Sequence, residues 1–231
     1  VQNSSNCTLE EAMVDADVFL GLSKGGILNK KMIKSMAKEP IVFALANPEP
    51  EIPYDIAMST RDDLIMATGR SDHPNQVNNV LGFPYIFRGA LDVRATTINE
   101  EMKLAAVRAI AALAKEQVPD VVNEAYDAKS ISFGRTQIIP KPLDPRLIYW
   151  VAPAVAKAAI DSGVAKSSIK DWKKYEHQLM ERLGLDNKFV RNLTAKAKRN
   201  PKKVVFAEAD TYKVLKSEEM ALEEGIAEPI L

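Results

Sequence analysis

Three apolar runs constrain the fold more than anything else in this chain. They are "DVFLGLS", "IVFALAN" and "DLIMATG", and they end at Ser23, Asn47 and Gly69. Those ends lie 24 and 22 residues apart. That spacing fits a strand, a crossover and a return to the same edge of a sheet, which predicts a parallel α/β arrangement. Each run is continuously apolar, with no alternation, so both faces of the strands are expected to be covered. In an open parallel sheet, ligands sit at the carboxyl ends of the strands. The expected site therefore begins with Ser23, Asn47 and Gly69: a hydroxyl, a carboxamide and a bare backbone. For each residue singly, a turn or a helix cap is the simpler explanation. It is their common phase that points to a ligand.

Bulk properties exclude several classes of function. The 231 residues suffice for one large domain or two small ones, and a hydrophobic share of 46% supports a real core. Lys and Arg number 31, as do Asp and Glu, which argues against nucleic acid or a membrane surface as partner. The single cysteine, Cys7, fits a reducing, cytoplasmic setting. No apolar run reaches the roughly 20 residues of a membrane span. The chain opens on Val1, with no leader pattern, and reads as an internal fragment.

Local signals fill in the rest. Thr8 with Glu11 has the spacing of a capping box, and so do Thr97 with Glu100 and Ser168 with Asp171. Asn29 is placed to cap a helix over "KKMIKSMAKE", which Pro40 stops. The stretch from Arg70 to Gly89 reads as irregular. The segment "ISFGRTQIIPKPLDPRLIYW" reads as a proline-broken surface arm. An Ala-rich helix follows, bent or started at Pro153 and ended at Gly163. From about Lys166 the texture becomes charged and helical, as in a linker. The last residues begin a fresh strand–helix–strand unit.

The richest cluster is Asn75, Gln76, Asn78 and Asn79, four carboxamides in five positions. A carboxamide both donates and accepts, so it can hold a carboxylate or a nicotinamide amide without adding charge. An Asn-rich turn with a helix cap explains the same residues equally well. His73 and His177 lack metal-ligand spacing, and no glycine-rich pyrophosphate turn is present.

The stretches "FALANPEPEI", "ATGRSDHPNQVNNVLGFPYIFRGALD" and "IIPKPLDPRLIYWVAPAVAKAA" closely resemble the nucleotide-binding domain of bacterial malic enzymes. The resemblance spans roughly Cys7 to Gly163. The final 30 or so residues are similar to the first strand and helix of phosphate acetyltransferases. That order matches the hybrid malic enzymes of bacteria. It implies a Rossmann-type malic enzyme domain over 1–164, a helical linker over 165–200 and the start of an acetyltransferase-like domain over 201–231.

The resemblance also implies chemistry. Asn47 would contact nicotinamide and substrate atoms, and Asn79 the substrate carboxylate, with Asn78 beside it. Ser23 and Gly69 match positions near the dinucleotide. The reaction would be oxidative decarboxylation of L-malate to pyruvate and carbon dioxide, with NADP favoured over NAD. A divalent metal, Mg2+ or Mn2+, and the catalytic acid and base would be supplied from outside these residues. The chain alone is therefore expected not to turn over malate. The enzyme is expected to be a homo-oligomer. The alternative is a regulatory and assembly module binding an acyl-CoA effector through residues 201–231.

Overall fold

The computed structural model describes residues 7–126, 128, 130–183, 188–207 and 210–230. It divides between Lys170 and Asp171 into two compact units.

The first unit opens with α1 (Leu9–Ala12), whose N-cap is Thr8 in a complete capping box with Glu11. Strand β1 (Val18–Gly21), helix α2 (Lys30–Ser35), β2 (Ile41–Ala44), α3 (Tyr54–Met58) and β3 (Ile65–Thr68) follow. The three strands form one parallel sheet in the order β1-β2-β3. The register sets Phe19 beside Val42 and Met66, and Gly21 beside Ala44 and Thr68. This α/β architecture is the one the phasing predicts.

Coverage of the sheet departs from expectation. Val18 is 54% exposed and Leu20 61%. The reason is topological. Both crossovers step in the same direction along the sheet, and right-handed connections then put α2 and α3 on one face. On that face Met32, Ile33 and Met36 pack with Val42, Ala44, Ile52, Ala57 and Met66.

Asn29 caps α2 as expected, its Oδ1 accepting from the Met32 amide at 3.0 Å. The helix ends at Ser35, well before Pro40, with Met36 already extended. Arg61 explains the early stop: its guanidinium donates to the carbonyls of Ile33, Met36 and Ala37. Those are acceptors that a helix terminus leaves open.

After β3 a short 3-10 turn (Asn79–Leu81) leads into α4 (Phe83–Asp92). The second half of the stretch expected to be irregular is thus helical. Pro84 does not prevent it, because a proline in the first turn removes only an amide that has no helical partner. Helix α5 (Glu100–Leu113) is capped by Asn99, not Thr97. Helix α6 (Asp120–Ala125) precedes the arm, and α7 (Leu147–Asp161) runs through Pro153 to a left-handed Gly163. Helices α4 and α5 both pack on α7. At Gly89 an added Cβ would lie 2.4 Å from the Ala152 carbonyl oxygen, so the α4–α7 approach requires glycine.

In the second unit, α8 (Trp172–Arg182) is capped by Asp171 itself, so the expected box starting at Ser168 does not form. Helix α9 (Lys188–Arg199) ends in bases. Strand β4 (Lys202–Val205), α10 (Tyr212–Glu223) and β5 (Ala227–Ile230) form the expected strand–helix–strand unit, with β4 and β5 parallel.

Candidate functional site

Ser23, Asn47 and Gly69 each follow the carboxyl end of one of three adjacent parallel strands. All three are exposed. The side chains of Ser23 and Asn47 make no hydrogen bond to other described residues. The Asn47–Pro48 peptide bond is cis.

A residue that the sequence did not single out organises this edge. Glu51 is fully buried, at 0% exposure. Its Oε1 accepts from the Ser23 amide at 3.2 Å and its Oε2 from the Ala46 amide at 3.0 Å. Its own carbonyl accepts from the Leu28 amide at 3.0 Å, and the Pro50 carbonyl accepts from the Gly26 amide at 3.1 Å. One side chain therefore holds the loops after β1 and β2 against each other. Gly21 makes room for it, since a Cβ there would lie 2.4 Å from Glu51 Cδ. In the sequence Glu51 is the second of two acids in a proline-rich turn, "NPEPEI", and the two look alike there. Its backbone partners, 28 and 5 residues away, leave no mark there.

The four carboxamides after β3 separate into different roles. Asn75 is 2% exposed and has a positive φ of 55°. Its Nδ2 donates to the Met66 carbonyl at 2.9 Å and the Arg135 carbonyl at 2.8 Å. Its Oδ1 accepts from the Ile138 amide at 2.9 Å. It is a structural clamp joining β3 to the arm. Gln76 pairs with Thr68 as an isolated bridge, and the Val77 amide donates to the Thr68 carbonyl at 2.8 Å. Asn78 is the N-cap of the 3-10 turn, its Oδ1 accepting from the Val80 amide at 3.0 Å. Asn79 is exposed, and its side chain makes no hydrogen bond to other described residues.

The arm between α6 and α7 is less superficial than its prolines suggest. Gln137, Asp144 and Arg146 are all buried. Asp144 accepts from the Arg146 guanidinium, the closest contact being 2.7 Å, and the same guanidinium donates to the Gln117 carbonyl at 2.5 Å. His73 stacks on Tyr54, with ring centroids 4.4 Å apart. Beside it, Arg70 holds Asp72 in a two-pronged pair that pulls the Asp72 carboxyl down to about 2.

The rim suits a ligand held by neutral hydrogen bonds, whether its own groups are polar or charged. Ser23 offers a hydroxyl, and Asn47 and Asn79 offer carboxamides that can each donate and accept. A Cβ at Gly69 would meet only the Val77 carbonyl oxygen, at 3.9 Å, so its backbone is open to close approach. For a metal the fit is poor: among the described residues no group of three or more His, Cys, Asp or Glu is placed to hold one.

Comparison with known proteins identifies the family. Residues 2–133 match the family described as "Malic enzyme, NAD binding domain". The whole chain is 52% identical to an NADP-dependent malic enzyme of Salmonella typhimurium and spans 30% of that protein's length. It is 50% identical, over 100% of its own length and 30% of the relative's, to an NAD-dependent malic enzyme of Rhizobium meliloti. The crystal structure of Entamoeba histolytica malic enzyme superimposes with a TM-score of 0.68 at 35% identity, covering 84% of this chain and 37% of that one. The family match covers more than half of the chain, and the chain belongs to the malic enzyme NAD-binding domain family.

Proposed function

We propose that this chain forms the nicotinamide- and substrate-facing side of a malic enzyme. The reaction is oxidative decarboxylation of L-malate to pyruvate and carbon dioxide, with reduction of NADP, or of NAD. The observation that carries this reading is the set of polar side chains at the carboxyl edge, Ser23, Asn47 and Asn79. They are exposed and make no hydrogen bonds to other described residues.

In this reading Asn47 and Asn79 bind malate, and Ser23, Asn47, Gly69, Asn78 and Asn79 bind the dinucleotide. The bound nicotinamide supplies the hydride acceptor. These residues orient it against malate through neutral hydrogen bonds. Asn78 takes part through its Nδ2, since its Oδ1 is engaged in the turn. Mg2+ or Mn2+, when required, takes its ligands from elsewhere. Residues 1–164 form the nucleotide-binding portion, 165–200 a helical linker and 201–231 the start of an acetyltransferase-like domain. NADP is favoured because relatives named for NADP include one 52% identical to this chain. The setting proposed is cytoplasmic, and no helix among the described residues is long and apolar enough to cross a membrane.

The test is kinetic and is made in the enzyme that carries this chain. Replacing Asn47 or Asn79 with Ala removes a hydrogen bond to a charged or polar group, worth about 1.5–3 kcal/mol. The kcat/KM for malate should fall roughly 10- to 150-fold, with the melting temperature nearly unchanged. Gln76→Ala, in the same loop, should have a several-fold smaller effect. Lowered melting with unaltered kinetics for both Asn variants would overturn the assignment.

A further inference from the structure

A cleft of about 400 Å³ lies between the loop after β3 and the arm that leads to α7. Ser71, His73, Tyr126, Ser132, Thr136 and Lys141 line it. None of the residues assigned above to malate or dinucleotide does. Small-molecule sites run from about 300 to 1,000 Å³, so this one suits a small metabolite and is cramped for a dinucleotide.

The charges around the cleft are unevenly committed. Asp72, also in its wall, is neutralised by Arg70. Arg135 donates to the carbonyls of Asp62, at 2.7 Å, and Leu64, at 3.2 Å. Arg146 is bound to Asp144. Lys141 has no ion pair or hydrogen bond among the described residues. Its ammonium lies 5.0 Å from the centroid of the Tyr126 ring. That ring is itself anchored, since the Tyr126 hydroxyl accepts from the Leu143 amide at 3.1 Å. Burial pushes the Lys141 pKa below the usual lysine value. A partly desolvated cation facing a hydroxyl-rich wall lacks the anion that would restore its lost solvation.

We propose that this cleft binds a phosphoryl group, as free phosphate or a small phosphate monoester, with Lys141 as its cation. The wall chemistry favours phosphate over carboxylate. A carboxylate is best matched by the planar fork of an arginine, and the neighbouring arginines are engaged elsewhere. A tetrahedral oxyanion accepts from several directions, which suits an ammonium point charge beside the hydroxyls of Ser71, Ser132 and Thr136. The site is independent of the malate assignment, and its test reads binding rather than turnover.

The full chain is titrated calorimetrically with inorganic phosphate, glycerol 3-phosphate and acetate, at matched ionic strength. Saturable binding of one or both phosphates, and none or weaker binding of acetate, is expected. Binding of both identifies free phosphate as sufficient; binding of the ester alone identifies a monoester as the ligand. Lys141→Met keeps the stem over Tyr126 and removes the charge. It should weaken phosphate binding about tenfold or more, the scale of one charged hydrogen bond, whereas Lys115→Met, far along the sequence on an exposed turn, should change nothing. If Lys141→Met fails to fold, Ser132→Ala serves in its place and should weaken binding several-fold. No saturable phosphate binding, tighter acetate binding, or phosphate binding unchanged in the folded cleft variant would each overturn the proposal.

Discussion

The backbone amide of Ser23 donates to the carboxyl of Glu51, 28 residues later in the chain, at 3.2 Å. A candidate ligand-binding residue is thus placed by a side chain that is itself fully buried. Glu51→Ala would leave two amides, those of Ser23 and Ala46, without partners. An unpaired buried donor costs about 1–3 kcal/mol, so a loss of roughly 2–4 kcal/mol in urea unfolding is expected. Glu51→Gln keeps one acceptor oxygen and should lose about half as much.

Asn75 should behave differently from its neighbours. Asn75→Ala removes three hydrogen bonds at a buried position and puts a less tolerant residue at positive φ. Destabilisation of about 3 kcal/mol or more is expected by chemical denaturation. Asn75→Asp should be nearly as harmful, because a carboxylate cannot donate to the Met66 and Arg135 carbonyls.

The adjacent pair Asn78 and Asn79 gives a sharper contrast. Asn78→Ala loses a cap, worth about 0.5–2 kcal/mol. Asn79→Ala loses no internal bond and should stay within about 0.5 kcal/mol of the parent protein. Melting curves of the two single variants decide this without any substrate.

Acid should weaken the fold partly through Asp63. The Arg61 guanidinium grips both its oxygens, at 2.8 and 2.7 Å, and the Glu39 amide adds a third bond at 2.8 Å. These contacts hold the Asp63 carboxyl far below its usual 3.8, with the Arg61 bond the largest cause. A carboxyl lowered in the folded state stabilises fully above the unfolded value, and the contribution is lost as pH falls through the folded one. Urea midpoints should therefore drop below about pH 4. The drop should be shallower in Asp63→Asn. Asp72, also lowered, is common to both proteins and cancels in the difference.

The strands, their parallel direction and the chain positions of their ends at Ser23, Asn47 and Gly69 were legible because parallel crossovers impose a chain period. Asn29, Thr8 and Gly163 were legible because caps act within four residues. What escaped acts over longer distances. Glu51 works through amides in two separate loops, and Asn75 reaches a carbonyl 60 residues away. Coverage of the sheet failed for a related reason: continuous apolar runs report hydrophobicity, not the side on which crossovers pack. The caps at Asn99 and Asp171 show that where two polar residues compete, as Thr97 does with Asn99, spacing alone does not choose the winner.

The outer side of β3 has one further consequence. Its alternate carbonyls, at Leu64, Met66 and Thr68, accept in turn from the Arg135 guanidinium, the Asn75 carboxamide and the Val77 amide. A guanidinium, a side-chain amide and one peptide thus do the work of a missing neighbour strand. An extended peptide arriving at this border finds its acceptors already taken. The sheet is therefore shielded on that flank against edge-to-edge self-association, and the shield depends on Asn75 and Arg135 more than on any ladder of strand pairing.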